Sequence, residues 1–185
     1  MDGETEMKII KAGNLGQWIN IYRLYQAAFP GAEKKPFSMI LNMCKKGKSD
    51  VWYCESGGKF AGLVITINGD DTILLDYLAV SPKVRGCGIG SEILQAMRRI
   101  YEGKAIFLEI EVPDENAENF EERKKRKKFY LTNGMKEMNV YVELFGVDME
   151  LLGYDCTLTF EEYRDFYRDN YNEWAASHID KSKLF

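Results

Sequence analysis

Leu75-Asp76-Tyr77-Leu78-Ala79-Val80-Ser81-Pro82-Lys83-Val84-Arg85-Gly86-Cys87-Gly88-Ile89-Gly90-Ser91 reads as a buried strand running into a tight turn that opens a helix. The alternating glycines Gly86, Gly88 and Gly90 free the backbone to fold so that several N–H groups converge. The positive end of the following helix dipole adds to them, so the turn favours an anion. Arg85 stands at its mouth with a full positive charge. The helix carries Ile89, Ile93, Met97 and Ile100 as one apolar stripe, with Glu92, Gln95, Arg98 and Arg99 elsewhere on its surface. Two common nucleotide motifs fail on spacing. A dinucleotide fingerprint beginning at Gly86 needs glycine where Ser91 stands, and a P-loop needs Gly-Lys-Ser/Thr, which is absent. Arg85-x-x-Gly88-x-Gly90 remains, and a plain strand-to-helix turn is the bland alternative.

Outward from this turn, the pattern predicts a first strand at Met7 to Lys11 and an amphipathic helix from Leu15 to Phe29 that Pro30-Gly31 stops. A second helix is expected over Phe37 to Lys46. A hairpin follows, with Val51 to Glu55 and Lys59 to Asn68 joined at Gly57-Gly58, and the motif strand runs from Thr72 to Val80. Past the helix from Gly88 to Tyr101, Ala105 to Val112 is a strand, and the strand–helix–strand order implies a parallel pair. Glu118 to Thr132 is the next helix, closed by Asn133-Gly134. Strands around Asn139 to Val147 and Met149 to Leu152 come next. Thr159-Phe160-Glu161-Glu162 is a capping box opening a terminal aromatic-rich helix.

With 185 residues and 45% hydrophobic composition, the chain fits a single domain over 1–185, with a core at about 7–152 and a C-terminal helical extension over 153–185. The acidic start, Met1 to Glu6, and the lack of any apolar run of about 18 residues lead us to expect a soluble cytoplasmic protein without membrane contact. Cys44, Cys54, Cys87 and Cys156 are far apart with no C-x-x-C pair, which argues against a disulfide framework or a zinc site. His178 is the only histidine, so neither a His-rich metal site nor a Ser-His-Asp arrangement is expected, and no metal is assigned. A net charge of −4, with aromatics that do not interleave with the basic run Arg123 to Lys128, argues against nucleic acid as a partner.

In order and spacing these residues resemble the GNAT N-acetyltransferase superfamily, whose pyrophosphate signature is Arg/Gln-x-x-Gly-x-Gly/Ala after a strand ending in an Ala-Val-like pair. Leu78-Ala79-Val80 and Arg85 to Gly90 match it. Phe107-Leu108-Glu109-Ile110-Glu111-Val112 looks like the family's next strand, and Phe129-Tyr130-Leu131-Thr132-Asn133-Gly134-Met135 like its Phe/Leu-Tyr-x-x-x-Gly-Phe segment. The resemblance covers about residues 7–152 and implies an α/β fold: a mixed, mostly antiparallel sheet with a splayed central parallel strand pair, flanked by helices.

The resemblance also implies an activity, N-acetyl transfer from the cosubstrate acetyl-CoA to a small-molecule or peptide amine. Such a reaction needs the thioester positioned, a proton taken from the amine and a proton given to the thiolate. By resemblance, Leu78, Ala79 and Val80 line the acyl arm, and Arg85, Gly86, Cys87, Gly88, Ile89, Gly90 and Ser91 hold the pyrophosphate. Tyr130 matches the family's acid and Glu109 its base, with Asp76 as the alternative base. Strand alternation puts Glu109 and Glu111 on one side, suggesting a wet cleft, although lysine partners or solvent at the strand end would also explain them. The family's pantetheine-binding asparagine falls here on Arg123, with Asn116 or Asn119 as substitutes. Trp18, Tyr22, Tyr25, Phe37, Tyr141 and Phe145 are acceptor-pocket candidates that read equally as core. The run Arg123 to Lys128 reads as a solvated face balanced by Glu118, Glu121 and Glu122, with the CoA 3′-phosphate as its functional alternative. A catalytically silent acyl-CoA sensor, an RNA-binding α/β domain using the basic run, and a homodimeric assembly stay open. The acidic balance points to a cationic acceptor.

Overall fold

A computed structural model of the chain describes residues 7–184; the acidic segment Met1 to Glu6 lies outside them. Two compact units divide the chain, Met1–Asn68 with Leu75–Glu102, and Gly69–Leu74 with Gly103–Phe185. The first holds strands β1 (Met7–Lys11), β2 (Ser49–Ser56) and β3 (Lys59–Asn68), and the greater part of β4 (Thr72–Val80), hydrogen-bonded in that order. Its helices are α1 (Leu15–Ala28), α2 (Phe37–Lys45) and α3 (Ile89–Ile100). The second holds the first three residues of β4, then β5 (Ala105–Glu111), β7 (Val147–Tyr154), β6 (Lys136–Leu144) and β8 (Ile179–Lys181) in sheet order. Its helices are α4 (Phe120–Thr132), α5 (Phe160–Asn170) and α6 (Glu173–Ala176). The fold class is the expected one: mixed α/β, mostly antiparallel, with β4 and β5 as the parallel pair.

Local chemistry explains where the first unit's elements begin and what they bury. A capping box starts α1: the Asn14 side chain accepts the Gln17 N–H at 3.0 Å, and the Gln17 side chain accepts the Asn14 N–H at 3.3 Å. Ile21, Leu24 and Tyr25 then recur three and four residues apart and are buried against Leu63, Ile65, Tyr77 and Ala79. Gly62 on β3 has no room for a side chain, because a Cβ there would lie 2.5 Å from the Ala79 carbonyl oxygen and 3.2 Å from Ile93. This close approach lets α3 settle on the sheet through Ile89, Ile93, Leu94, Ala96 and Met97. Ile100, expected to extend that stripe, ends the helix 40% exposed.

Within the second unit, the parallel ladder consists of Thr72↔Ala105, Ile73↔Ile106 and Leu74↔Phe107. The β6–β7 turn falls at Phe145-Gly146 rather than near Asp148, where the sequence suggests it. Both turn residues have positive φ, 49° and 82°, as a tight two-residue hairpin requires, but Phe-Gly lacks the Asn-Gly signature that announces such a turn. Asn139 also has positive φ, 55°, where the β6–β7 register shifts, so a residue read as a strand start is a bulge inside the strand. The Thr159–Glu162 capping box forms as read, with the Glu162 N–H donating to Thr159 Oγ1 at 3.2 Å. Beyond that helix the C-terminal extension adds α6 and the strand β8, which pairs with β6. No helix among the described residues is long and apolar enough to cross a membrane.

A buried ion pair ties α4 to the sheet. Glu150 on β7 is 1% exposed and accepts two hydrogen bonds from Lys127 Nζ, at 2.9 and 2.8 Å, while Glu137 also pairs with Lys127. Burial pushes the Glu150 carboxyl up despite the ammonium beside it. Removing one partner of such a pair costs more than removing both, because the survivor is left as a lone buried charge. Lys127→Met is therefore expected to destabilise the chain by about 3–5 kcal/mol in chemical denaturation. Lys127→Met with Glu150→Met should recover most of that loss; equal loss in the single and double variants would show the pair is not buried as described.

Candidate functional site

The glycine turn is where backbone geometry and chemistry meet. After the short 3₁₀ turn Pro82–Val84, Gly86 and Gly88 adopt φ of 78° and 80°, left-handed values that a side chain would strain. Gly88 caps α3 and its carbonyl oxygen accepts from the Ser91 N–H at 2.9 Å and the Glu92 N–H at 3.1 Å. The N–H groups of Gly86, Cys87, Gly88, Ile89 and Gly90 donate to no acceptor among the described residues. A Cβ on Gly86 or Gly88 would meet nothing within 4 Å, so the outer surface of the turn is open. Unmet donors, an open approach and the positive end of a three-turn helix are features that favour an anion. Arg85 is exposed and donates through Nε to the Val80 carbonyl oxygen at 3.1 Å, so its guanidinium is tethered at the strand end beside the turn. Cys87 is exposed in the same loop, and Ser91 is half-buried in the first turn of α3.

Upstream, β4 alternates. Tyr77 and Ala79 are buried in the α1 and α2 core, while Asp76, Leu78 and Val80 occupy the other face and are half-buried. Of the acceptor-pocket candidates, Trp18, Tyr22 and Tyr25 all pack edge-on or tilted against Phe37, with Tyr25 fully buried. In the second unit, Phe145 instead stacks on His178 and meets Trp174 at the β6–β7 turn, an arrangement its place in that turn dictates.

The two β5 carboxylates are engaged. Glu109 Oε1 accepts hydrogen bonds from the hydroxyls of Tyr163 and Tyr167 on α5, each at 2.7 Å. Glu111 pairs with Arg123 at 2.8 Å and Arg126 at 3.7 Å, and Asn119 Nδ2 donates to it at 3.4 Å. Among the described residues, Glu109 is thus held by two phenols and Glu111 by two arginines and an asparagine, and both glutamates are half-buried. Asn119 also accepts from Arg123 Nε at 2.8 Å, and Asn116 closes a turn on Asp114, so both asparagines are occupied with their own chain. In the basic run Lys124 pairs with Glu121 as expected, and further carboxylates come from the strands. The run's partners are Glu111, Glu121, Glu137 and Glu150, three of them on strands, because one helix face reaches the sheet.

Tyr130 on α4 is half-buried, its ring edge-on to Phe129 at 5.1 Å. Its hydroxyl is not hydrogen-bonded within the described residues. Burial pushes its pKa up to about 12, against the pull of Arg126, with Tyr154 adding to the rise. The group therefore stays a neutral phenol, able to donate a proton, throughout the physiological range. No cluster of three or more His, Cys, Asp or Glu side chains among the described residues could hold a metal ion. The sequence offers no signal for Tyr163 and Tyr167 as partners of Glu109, since their i, i+4 spacing on an aromatic-rich helix is equally that of a packing face.

A family model described as the acetyltransferase (GNAT) family matches residues 18–124, more than half of the chain. YjbC of Bacillus subtilis (strain 168), an acetyltransferase by name, is 30% identical over 112 residues, which is 60% of this chain and 54% of that protein. The chain thus spans about half the length of that relative. Among solved structures, a GNAT-family protein from Bacteroides thetaiotaomicron superposes with a TM-score of 0.74 at 17% identity, covering 92% of this chain and 98% of its own. An aminoglycoside 6′-N-acetyltransferase in complex with coenzyme A superposes at 0.64 and 14% identity, covering 80% and 96%. These two likenesses are of fold.

The phenol pair on Glu109 can be weighed directly. A hydrogen bond to a charged acceptor contributes about 1.5–3 kcal/mol, so Tyr163→Phe and Tyr167→Phe should each lower unfolding free energy by about that much. In double-variant cycles with Glu109→Gln the losses should be less than additive. Full additivity would mean the hydroxyls and the carboxylate do not interact.

Proposed function

The chain belongs to the GNAT acetyltransferase family, and we propose that it moves an acetyl group from acetyl-CoA to a primary amine by direct attack in a ternary complex. The observation that carries this reading is the row of unmet N–H groups from Gly86 to Gly90 at the start of α3. A diphosphate fits there: the turn is open, its donors are backbone amides that need no reorganisation, and Arg85 adds a guanidinium. Leu78, Ala79 and Val80 would run alongside the acyl arm, with Ser91 completing the first helical turn. The thioester supplies the carbonyl that the amine attacks and the thiolate that leaves.

Proton handling falls to Tyr130 and Glu109. Tyr130 Oη gives its proton to the departing sulfur, a role suited to a phenol whose pKa is pushed up to about 12 and which is therefore protonated when needed. Glu109 takes the amine proton, oriented by the Tyr163 and Tyr167 hydroxyls on Oε1. Those same two hydrogen bonds favour a second reading, in which Glu109 is a structural carboxylate and the chain is a silent acyl-CoA sensor. The RNA-binding reading draws no support from the basic run, since Arg123, Lys124, Arg126 and Lys127 are all paired to carboxylates of the chain.

Free-thiol release from acetyl-CoA across a panel of primary amines tests the proposal. Turnover is expected with the intact chain, falling tenfold or more in Tyr130→Phe, equivalent to about 1.4 kcal/mol of barrier. Because its pKa is raised, Tyr130 keeps its proton as pH climbs past 10, where an ordinary tyrosine is half ionised, so its alkaline limb should lie near 12. CoA binding without thiol release from any amine would leave the sensor reading standing. An alkaline limb at 10 that persists in Tyr130→Phe would remove Tyr130 as the acid.

A further inference from the structure

Asp76 lies on β4, two residues before Leu78 and on the same half-buried face. Its side chain is only 4% exposed and is ion-paired with Lys35, from Nζ to Oδ1 at 2.5 Å. Oδ2 is buried and has no hydrogen-bond partner among the described residues. A buried carboxylate oxygen without a donor is costly and rare in a folded protein, so it marks either a strained place or one meant to receive a donor.

The surroundings favour a donor of one kind. Lys35 Nζ also stands 5.3 Å above the Tyr77 ring, so carboxylate and aromatic face together form a receptor for an ammonium group. The segment that brings Lys35 there is fixed by its backbone. The Tyr77 hydroxyl donates to the Glu33 carbonyl oxygen at 2.8 Å and accepts the Lys35 N–H at 3.1 Å, and the Tyr25 hydroxyl donates to the Lys35 carbonyl oxygen at 2.9 Å. Backbone fixation leaves the Lys35 side chain, a flexible four-carbon stem 23% exposed, as the part that can swing aside. In the aromatic cluster that Tyr77 joins through Tyr25 and Phe37, Tyr22 is 47% exposed.

We propose that the Asp76 carboxylate is the docking point for the primary ammonium group of the acceptor, and that Lys35 is an intramolecular cation holding the place until the acceptor displaces it. The incoming ammonium donates to Oδ2, supplying the missing hydrogen bond, and takes over the charge pairing as Lys35 moves out. This rests on the acetyltransferase reading for the identity of the ligand as acceptor; the cation receptor itself does not. The acceptor class that follows is a primary amine on an aliphatic stem, whether a small polyamine or the amino terminus of a peptide. A carboxylate-bearing or neutral acceptor would leave the Asp76 charge buried and uncompensated once Lys35 moved.

The test has two arms. Lys35→Ala removes the resident ammonium and opens its space; its thermal midpoint should fall, and n-butylammonium chloride should restore it while n-butanol at the same concentration does not. In Lys35→Ala with Asp76→Asn the two additives should act alike. No rescue, or equal rescue by the alcohol in the single variant, overturns the proposal. In thiol-release kinetics, Asp76→Asn should raise KM at least tenfold for 1,4-diaminobutane or for trialanine amide, the arm that responds naming the source of the ammonium, with KM for acetyl-CoA unchanged. Amine KM values within twofold of the parent's overturn it. Absence of thiol release from every amine would remove the transferase reading, and the thermal arm would still decide the receptor.

Discussion

The acetyl-CoA reading of this chain depends on two glycines with positive φ turning consecutive backbone N–H groups away from any acceptor among the described residues. Gly86 and Gly88 cannot be replaced there without strain, and the helix behind them starts at Ile89, so its first donors add to those of the turn. Each such contact to an anion is modest alone, about 0.3–1 kcal/mol from the helix end and more for a charge-assisted hydrogen bond. Several converging on one diphosphate make a binding site. Arg85 contributes less freely than its sequence position suggests, since its Nε holds the Val80 carbonyl oxygen. That tether fixes the guanidinium beside the turn and limits the side-chain entropy a ligand must remove.

In the second unit charge has gone into internal architecture. Glu150 is buried with Lys127, and Glu111 is shared by Arg123 and Arg126. Surface ion pairs contribute about 0–1 kcal/mol, so Lys124 with Glu121 matters little, whereas a buried pair is costly to break on one side only. The magnitudes separate the residues of α4: Arg123 and Lys127 hold the helix to the sheet, and the exposed Lys125 and Lys128 face solvent.

Much of the fold was legible because its signals are local. Capping at Thr159, the Gly57-Gly58 hairpin and the apolar stripe of α3 through Met97 each rest on neighbours within a few residues, and the structure realises them. The glycine turn was legible through spacing, while the role proposed for Tyr130 rests on the family resemblance. What escaped depends on distant partners. Asn139 as a bulge and Phe145 in a left-handed turn are set by β6–β7 pairing, which overrides residue preference. Glu150 is held by Lys127 from 23 residues away, which no local pattern announces. Tyr163 and Tyr167 reach Glu109 across more than 50 residues, and no sequence pattern encodes that.

The most direct measurement of the central claim is an amide-resolved NMR titration of the intact chain with coenzyme A. The account predicts that the N–H resonances of Gly86, Gly88 and Gly90 shift together and saturate at one dissociation constant, with a Gly88→Ala chain showing much weaker saturation. Saturable binding that leaves those three resonances in place, moving amides elsewhere instead, would contradict it.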